Sequence, residues 1–157
     1  MGCTMYGDWS KAGVVLKRLA VNLNPFAKGM LYEDGQLVLE TIQGHIDKQD
    51  LNWIPLANST VRAKGSDDIY VETGSLRNGL TVRKIKSSKD DLVLFVGASP
   101  WKRHAPSGKK MSEILIFLEY GTSRIPPRPL VEPTFEEVKS KIQKEWRGAI
   151  ADFIGGK

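Results

Sequence analysis

The chain has 157 residues, of which 41% are hydrophobic and 26% are charged, and its formal net charge is +5. This composition excludes an intrinsically disordered chain, and no apolar run approaches the roughly 20 residues that a membrane-spanning helix needs. The single cysteine, Cys3, excludes an internal disulfide and a multi-cysteine zinc site, and it fits a reducing cytoplasm. We therefore expect one domain over residues 1–157 with no membrane contact.

The first third of the chain has apolar residues near helical period. We predict a first helix over Trp9–Leu23 and a second over residues 25–50, because Asn24–Pro25 is a typical helix break. Pro25 itself suits the first turn of the second helix, where its missing N–H costs nothing. The N-terminal region, about residues 9–50, is thus expected to be helical.

The middle of the chain reads as a loop followed by a hairpin. Residues 50–68 carry turn-forming residues, and we expect Trp53 and Leu56 to anchor this loop on the body. Leu80–Ser87 and Leu92–Ala98 are the best strand candidates within a sheet region of about residues 69–98. Because two strands alone are marginal, we expect two further edge strands. These are Ile69–Glu72 and Arg128–Val131.

Residues 112–154 combine a short apolar segment, a proline-rich connector and a closing helix. The apolar segment Ser112–Glu119 fits a buried helix capped by Ser112 and also fits a buried strand, because its periodicity does not separate the two. Gly121 suits a C-terminal cap in the left-handed region, and the prolines at 126, 127 and 129 then exclude helix. The last helix is predicted over Thr134–Ile154, started by a capping box of Thr134 with Glu137.

The chain carries no recognisable catalytic pattern. Its two histidines, His45 and His104, have no cysteine or carboxylate at metal-ligand spacing and no serine-nucleophile context. Carboxylate pairs such as Asp67–Asp68 lie where turns or helix starts explain them. We therefore expect no catalytic residues, no metal and no cofactor. A small enzyme with a composite active site stays as an alternative, and it requires a pocket that gathers one histidine with carboxylates.

Basic residues concentrate on the predicted hairpin and on the loop after it, next to Trp101. Lysine and arginine contact phosphates without reading sequence, so this surface could meet duplex DNA. It could also meet an acidic protein partner or remain a solvated surface. A sequence-nonspecific nucleic-acid-binding protein is therefore an alternative reading. The candidate contact residues are Arg83, Lys84, Lys86, Lys102, Arg103, Lys109 and Lys110.

Two groups of short motifs resemble a known family. The first is Glu119-Tyr120-Gly121-Thr122 followed by Arg128-Pro129-Leu130 and a closing helix. The second is Trp53-Ile54-Pro55-Leu56, then Thr60, Lys64 and Thr73-Gly74-Ser75-Leu76. Together they resemble the tail-completion family of tailed bacteriophages, which joins head to tail and is also described by the term virion morphogenesis. The resemblance covers roughly the span from Trp53 to Lys144.

The resemblance implies a fold and a role. The fold is α+β, with a small, mainly antiparallel sheet packed against a long N-terminal helix and a C-terminal helix, and it favours helix over Ser112–Glu119. The implied role is structural: a virion protein, made in the host cytoplasm, that forms a ring at the head-proximal end of the tail. Six-fold symmetry is the family expectation, and the implied partners are the tail tube, the head connector and the DNA in the channel.

Candidate interface residues follow from the same motifs. Tyrosine and arginine are common interface anchors, and a charge-assisted pair between Glu119 and Arg128 could lock the connector within or across subunits. An intrachain structural corner is the other reading of these residues. The predicted interface set is Glu119, Tyr120, Gly121, Thr122, Arg128, Pro129 and Trp101.

Overall fold

The structure is a computed structural model that describes residues 9–88, 91–104 and 107–155. Within these ranges the fold is α+β, as predicted, with a long N-terminal helix, a C-terminal helix and a two-stranded antiparallel sheet. The elements in chain order are α1 (Trp9–Lys48), α2 (Asn58–Lys64), β1 (Leu80–Ser87), β2 (Leu92–Ala98), α3 (Met111–Tyr120) and α4 (Val131–Gly155). No helix in the described part of the chain is long and apolar enough to cross a bilayer.

The predicted break at Asn24–Pro25 is wrong, because α1 continues through Pro25 as one helix of 40 residues. Proline removes the hydrogen bond to the carbonyl four residues back, but its fixed dihedral angle is compatible with helix. The next residue, Phe26, stacks on Phe153 of α4 with ring centroids 4.6 Å apart. This contact stabilises the helix next to Pro25, where the local sequence favours a break.

The hairpin matches the prediction, whereas the edge strands do not form. β1 and β2 pair antiparallel from Leu80 opposite Ala98 to Ser87 opposite Leu92. Ile69–Glu72 is not a strand, since the side chain of Gln49 takes the place of a neighbouring strand. Its amide nitrogen donates to the Ile69 carbonyl at 2.8 Å, and its amide oxygen accepts the Ile69 N–H at 2.8 Å. The segment 128–131 is bonded by side chains as well, as described below.

The loop predicted over residues 50–68 contains the short helix α2, which ends at Gly65 in the left-handed conformation. Trp53 is buried and Leu56 packs against the core, so both anchors are confirmed. The core lies between the C-terminal half of α1, this loop, the start of the hairpin and α3. Its buried apolar members are Ile42, Ile46, Trp53, Ile69, Tyr70, Leu76, Leu80, Ala98, Met111 and Leu130.

The two C-terminal helices form where expected, but their first residues differ from the predictions. α3 begins at Met111 with no side-chain cap, so Ser112 does not cap it. α4 begins at Val131, three residues early, and the Thr134 hydroxyl donates back to the Leu130 carbonyl at 2.6 Å instead of forming a capping box. α4 runs antiparallel to α1, because its start lies near His45 and its end near Phe26.

Candidate functional site

Glu119, at the end of α3, caps the start of α4. Its carboxylate accepts the N–H of Leu130 at 2.8 Å and the N–H groups of Val131 and Glu132 at 3.1 Å. A helix presents several N–H groups that have no partner inside the helix, and a carboxylate there also meets the positive end of the helix dipole. Pro133 has no N–H, so Glu119 satisfies every free backbone donor from Leu130 to Pro133.

Arg128 is buried and holds the connector, residues 121–130, against the loop after α1. Its Nε donates to the carbonyl of Ile54 at 2.7 Å and its Nη2 to that of Pro55 at 3.1 Å. The indole N–H of Trp53 donates in the opposite direction, to the carbonyl of Pro129 at 2.6 Å. These three bonds join segments more than 70 residues apart in the sequence, so the connector and the Trp53-Ile54-Pro55-Leu56 segment form one unit.

Tyr70 completes this unit, which we name the connector corner: Glu119, Arg128, Trp53 and Tyr70 with the backbone they bind. The Tyr70 hydroxyl donates to the carbonyl of Arg128, and its ring lies 5.0 Å from that of Trp53. Burial raises the pKa of Tyr70, and the Glu119 carboxylate raises it further. The hydroxyl therefore remains a hydrogen-bond donor throughout the physiological pH range.

Gly121 and Thr122 form the tight turn that starts the connector. The Thr122 N–H donates to the Ile125 carbonyl at 2.8 Å, and its hydroxyl accepts the N–H groups of Arg124 and Ile125. Gly121 has φ 73° and ψ −177°, so it has the predicted positive φ but lies in a region nearly exclusive to glycine rather than in the left-handed helical region. A Cβ atom there would lie 2.8 Å from the Ile125 oxygen and from the Pro127 nitrogen.

The predicted pair between Glu119 and Arg128 is wrong as a direct contact, because each side chain is already used on backbone groups of this chain. Among the residues described, their arrangement is the intrachain corner that was the other reading. Tyr120 and Trp101, by contrast, are each 78% exposed and remain available to a partner. Pro129 is exposed on the outer side of the corner.

One cation–π stack connects the hairpin with the loop after it. The guanidinium carbon of Arg83, on β1, lies 5.9 Å from the ring centroid of Phe95 and 6.0 Å from that of Trp101. Such contacts contribute about 0.5–1 kcal/mol at exposed sites. The next residue of β1, Lys84, points to the opposite face of the hairpin, toward α1, so the predicted cations do not all share one face.

Most of the other basic side chains also have a partner within the chain, although all of them are exposed. Lys84 lies over the ring of Tyr32 and Lys109 over that of Phe117. Three others bond polar groups: Lys86 to the carboxylate of Asp91, Lys102 to the carbonyl of Asn78, and Arg103 to the carbonyl of Gly108. Arg103 also forms an isolated antiparallel bridge with Lys110. These contacts orient the cations without neutralising most of them.

Sequence reasoning missed a cleft of about 510 Å³ beside the connector corner. Its floor is apolar, and its lining includes His104 and Glu72. His104 is buried, with Nε2 3.2 Å from a Glu72 oxygen and Nδ1 3.0 Å from the Ser107 hydroxyl. No local pattern could reveal this cleft, because the loop before α3 and the loop before β1 meet only in the fold.

Sequence reasoning also missed the carboxylates that surround His45. This buried histidine of α1 places Nδ1 2.6 Å from an Asp50 oxygen and Nε2 3.1 Å from a Glu137 oxygen of α4. The hydrogen bond from His45 lowers the pKa of Asp50. Glu137 thus links α4 to α1 instead of completing a capping box. Among the described residues, no group of three or more histidine, cysteine or acidic side chains is placed to hold a metal ion.

Comparisons with protein-family models, with curated proteins and with solved structures found no match to this chain.

Proposed function

We propose that this protein is a structural virion component of a tailed phage, which forms a ring at the head-proximal end of the tail and joins the tail to the head connector. The connector corner is the observation that carries this proposal. The two groups of motifs that resemble the tail-completion family, far apart in sequence, meet there through Trp53, Glu119 and Arg128. This contact supports the proposal, because it makes the two short patterns parts of one structural unit.

The corner suits a subunit that must hold a defined angle to its neighbours. It fixes α3, the connector and the start of α4 relative to one another with bonds to a buried guanidinium and a buried carboxylate. Charge-assisted hydrogen bonds of this kind are roughly twice as strong as neutral ones. Tyr120, the last residue of α3, projects from this rigid part as an exposed aromatic side chain, the type enriched at interface cores, and Trp101 is equally exposed in the loop after β2.

The proposed ring is a homo-oligomer with head-to-tail contacts, which close when the rotation between subunits divides a full turn. Its role is non-enzymatic, its location is the virion neck, and its partners are the tail tube and the connector. The basic surface around Arg83 would face either the DNA channel or an acidic neighbour. Contacts with DNA in such a channel would be weak, because tight binding would hinder passage.

A second candidate is a sequence-nonspecific nucleic-acid-binding protein. The observation in its favour is the Phe95–Arg83–Trp101 stack, which places a cation of the hairpin beside an exposed aromatic ring of the basic loop after it. This candidate requires strong binding by the isolated subunit, and that binding must fall steeply as salt is raised.

One experiment separates the two candidates. The mass of the purified protein is measured by light scattering, alone and after mixing with phage tails that lack this component, and its binding to duplex DNA is measured at low and high salt. A ring-sized particle, or a monomer that assembles only on tail ends, supports the joining role. A monomer that ignores tails but binds duplex DNA tightly at low salt overturns it in favour of the second candidate.

A further inference from the structure

The first part of α1 extends beyond the rest of the molecule. We name residues 9–24 the arm. Near this end α4 contacts α1 through the Phe26–Phe153 stack, and the hairpin end reaches α1 at Lys28, which donates to the Ser88 carbonyl. At 1.5 Å per residue, the arm continues for roughly 24 Å past these contacts.

The arm is apolar on opposite sides and is uncovered. Val14, Leu16, Val21 and Leu23 are between 48% and 72% exposed. Val14 and Val21 are seven residues apart and lie on one face of the helix. Leu16 and Leu23 are also seven residues apart, and they lie on the opposite face, rotated by about 200° from the two valines. A helix that is apolar on all sides is normally buried. Nothing in the described part of this chain packs around these four side chains.

The arm cannot reach the cleft of its own subunit. The cleft lies past the other end of α1, since its lining residue Ile69 is bonded to Gln49. About 30 helical residues separate the middle of the arm from that end, which is roughly 45 Å. Because α1 is continuous, its two ends stay apart, and a contact between arm and cleft requires a second copy of the chain.

The charges of the arm and of one cleft rim are complementary. The arm carries Lys11, Lys17 and Arg18 and contains no acidic residue. On the rim formed by residues 64–72, burial lowers the pKa of Lys64, and three nearby carboxylates oppose this shift: Asp68, Glu72 and Asp67. Acidic groups therefore outnumber the one lysine on this rim, while Arg124 and the buried Arg128 lie elsewhere in the lining.

We propose that the arm of one copy docks in the cleft of the next copy, as an apolar helix in an apolar groove. Its leucine and valine side chains meet the floor formed by Leu56, Leu76, Ile114, Leu118 and Ile125, and Lys17 faces the acidic rim. Helix-in-groove recognition of this kind uses anchors spaced one and two turns apart. The inference deepens the proposed function and rests on it only for the closure of the head-to-tail chain into a ring.

Engineered cysteines test the contact directly. Cys3 is first replaced by serine, and then Val21→Cys and Ile125→Cys are introduced together; both positions are exposed, so folding is preserved and is checked by circular dichroism. Mild oxidation is followed by denaturing, non-reducing electrophoresis. A ladder of covalent multimers from the double variant, with no dimer from either single variant, is expected. The matched control, Val21→Cys with Val93→Cys, carries an equally exposed second cysteine outside the cleft and should give no ladder.

The outcomes separate the arm from the ring. Disulfide-linked dimers of the single Val21→Cys variant would mean that arms pair with each other, which overturns the proposal. Particles of ring size without a ladder would overturn the arm contact and leave the ring intact. A ladder from open chains that never reach a closed size would support the arm contact and contradict the ring. A monomer without a ladder would overturn both.

An association measurement gives an independent check. Val21→Asp should weaken self-association by about tenfold or more, the effect of losing one well-buried interface side chain. Val93→Asp should change it by less than about threefold, within the range of ordinary surface substitutions. Equal effects of the two substitutions would contradict a specific role of the arm.

Discussion

Replacement of Glu119 tests the connector corner most directly. The three N–H groups at the start of α4, those of Leu130, Val131 and Glu132, all donate to this one carboxylate. Glu132 is exposed and Val131 is half-buried, so water can replace the carboxylate at both. Leu130 is fully buried, and its N–H would remain without a partner.

The expected loss of stability has two contributions. Loss of a helix N-cap costs about 0.5–2 kcal/mol, and one unsatisfied buried donor costs about 1–3 kcal/mol. Glu119→Ala should therefore lower the free energy of unfolding by roughly 2–4 kcal/mol. Glu119→Gln keeps one acceptor oxygen but loses the charge, and it should have an intermediate effect. Both variants should still fold, because domains of this kind have about 5–15 kcal/mol of stability.

The assay is urea unfolding followed by circular dichroism. With a slope of about 1–3 kcal/mol per molar urea, the midpoint of Glu119→Ala should fall by roughly 1–2 M while the slope is unchanged. The matched control is Glu136→Ala, which removes a carboxylate that contacts only exposed Lys139 on the same helix and should change stability by less than about 0.5 kcal/mol. If the two alanine variants were equally stable, the capping role derived for Glu119 would be wrong.

Two further substitutions have opposite expected signs. Gly121→Ala should destabilise the fold by more than about 1 kcal/mol, because the dihedral angles of Gly121 are nearly exclusive to glycine. Gly148 lies in α4 with free space around it, so Gly148→Ala should stabilise the fold by about 0.5–1 kcal/mol. Equal unfolding midpoints of the two variants in urea would refute this. Burial raises the pKa of Asp34, and the hydrogen bond from Trp146 only partly opposes the rise. The folded state therefore binds this proton more tightly than the unfolded state, and the free energy of unfolding falls as pH rises from about 3.8 through the raised pKa. Asp34→Asn should be more stable than the parent at pH 7 and equal to it at pH 3; a difference that persisted at pH 3 would contradict the titration.

The hairpin and α4 could be predicted because their signals are local, whereas the periodicity of α3 left helix and strand open and only the resemblance favoured helix. Alternating or continuous apolar residues, a polar turn and a glycine after Tyr120 are properties of neighbouring residues, and they act alike in any tertiary context. The resemblance motifs were also visible, since Trp53, Glu119 and Arg128 stand in recognisable short patterns. Their spacing alone did not show which groups bond each other, and it left open a direct pair between Glu119 and Arg128 that does not form within this chain.

Two of the errors have a common cause, which is competition for backbone hydrogen bonds by side chains from other parts of the chain. Gln49 replaces the strand that Ile69–Glu72 would need, and Glu119 starts α4 three residues before the predicted capping box. Pro25 remains within α1, where the stacking of Phe26 on Phe153 supports the helix.

By itself, then, the sequence determined the hairpin, the closing helix and the helical character of residues 25–48, because these depend on periodicity and on backbone preferences within a few residues. Only the tertiary structure decided how the connector is held, which histidines are buried beside carboxylates, where the cleft lies and that the arm is left exposed. Most of these features depend on contacts between residues far apart in the sequence, as Trp146 and Asp34 illustrate with their 2.6 Å hydrogen bond across 112 positions. No local pattern encodes such distances, because they follow from the packing of the whole chain.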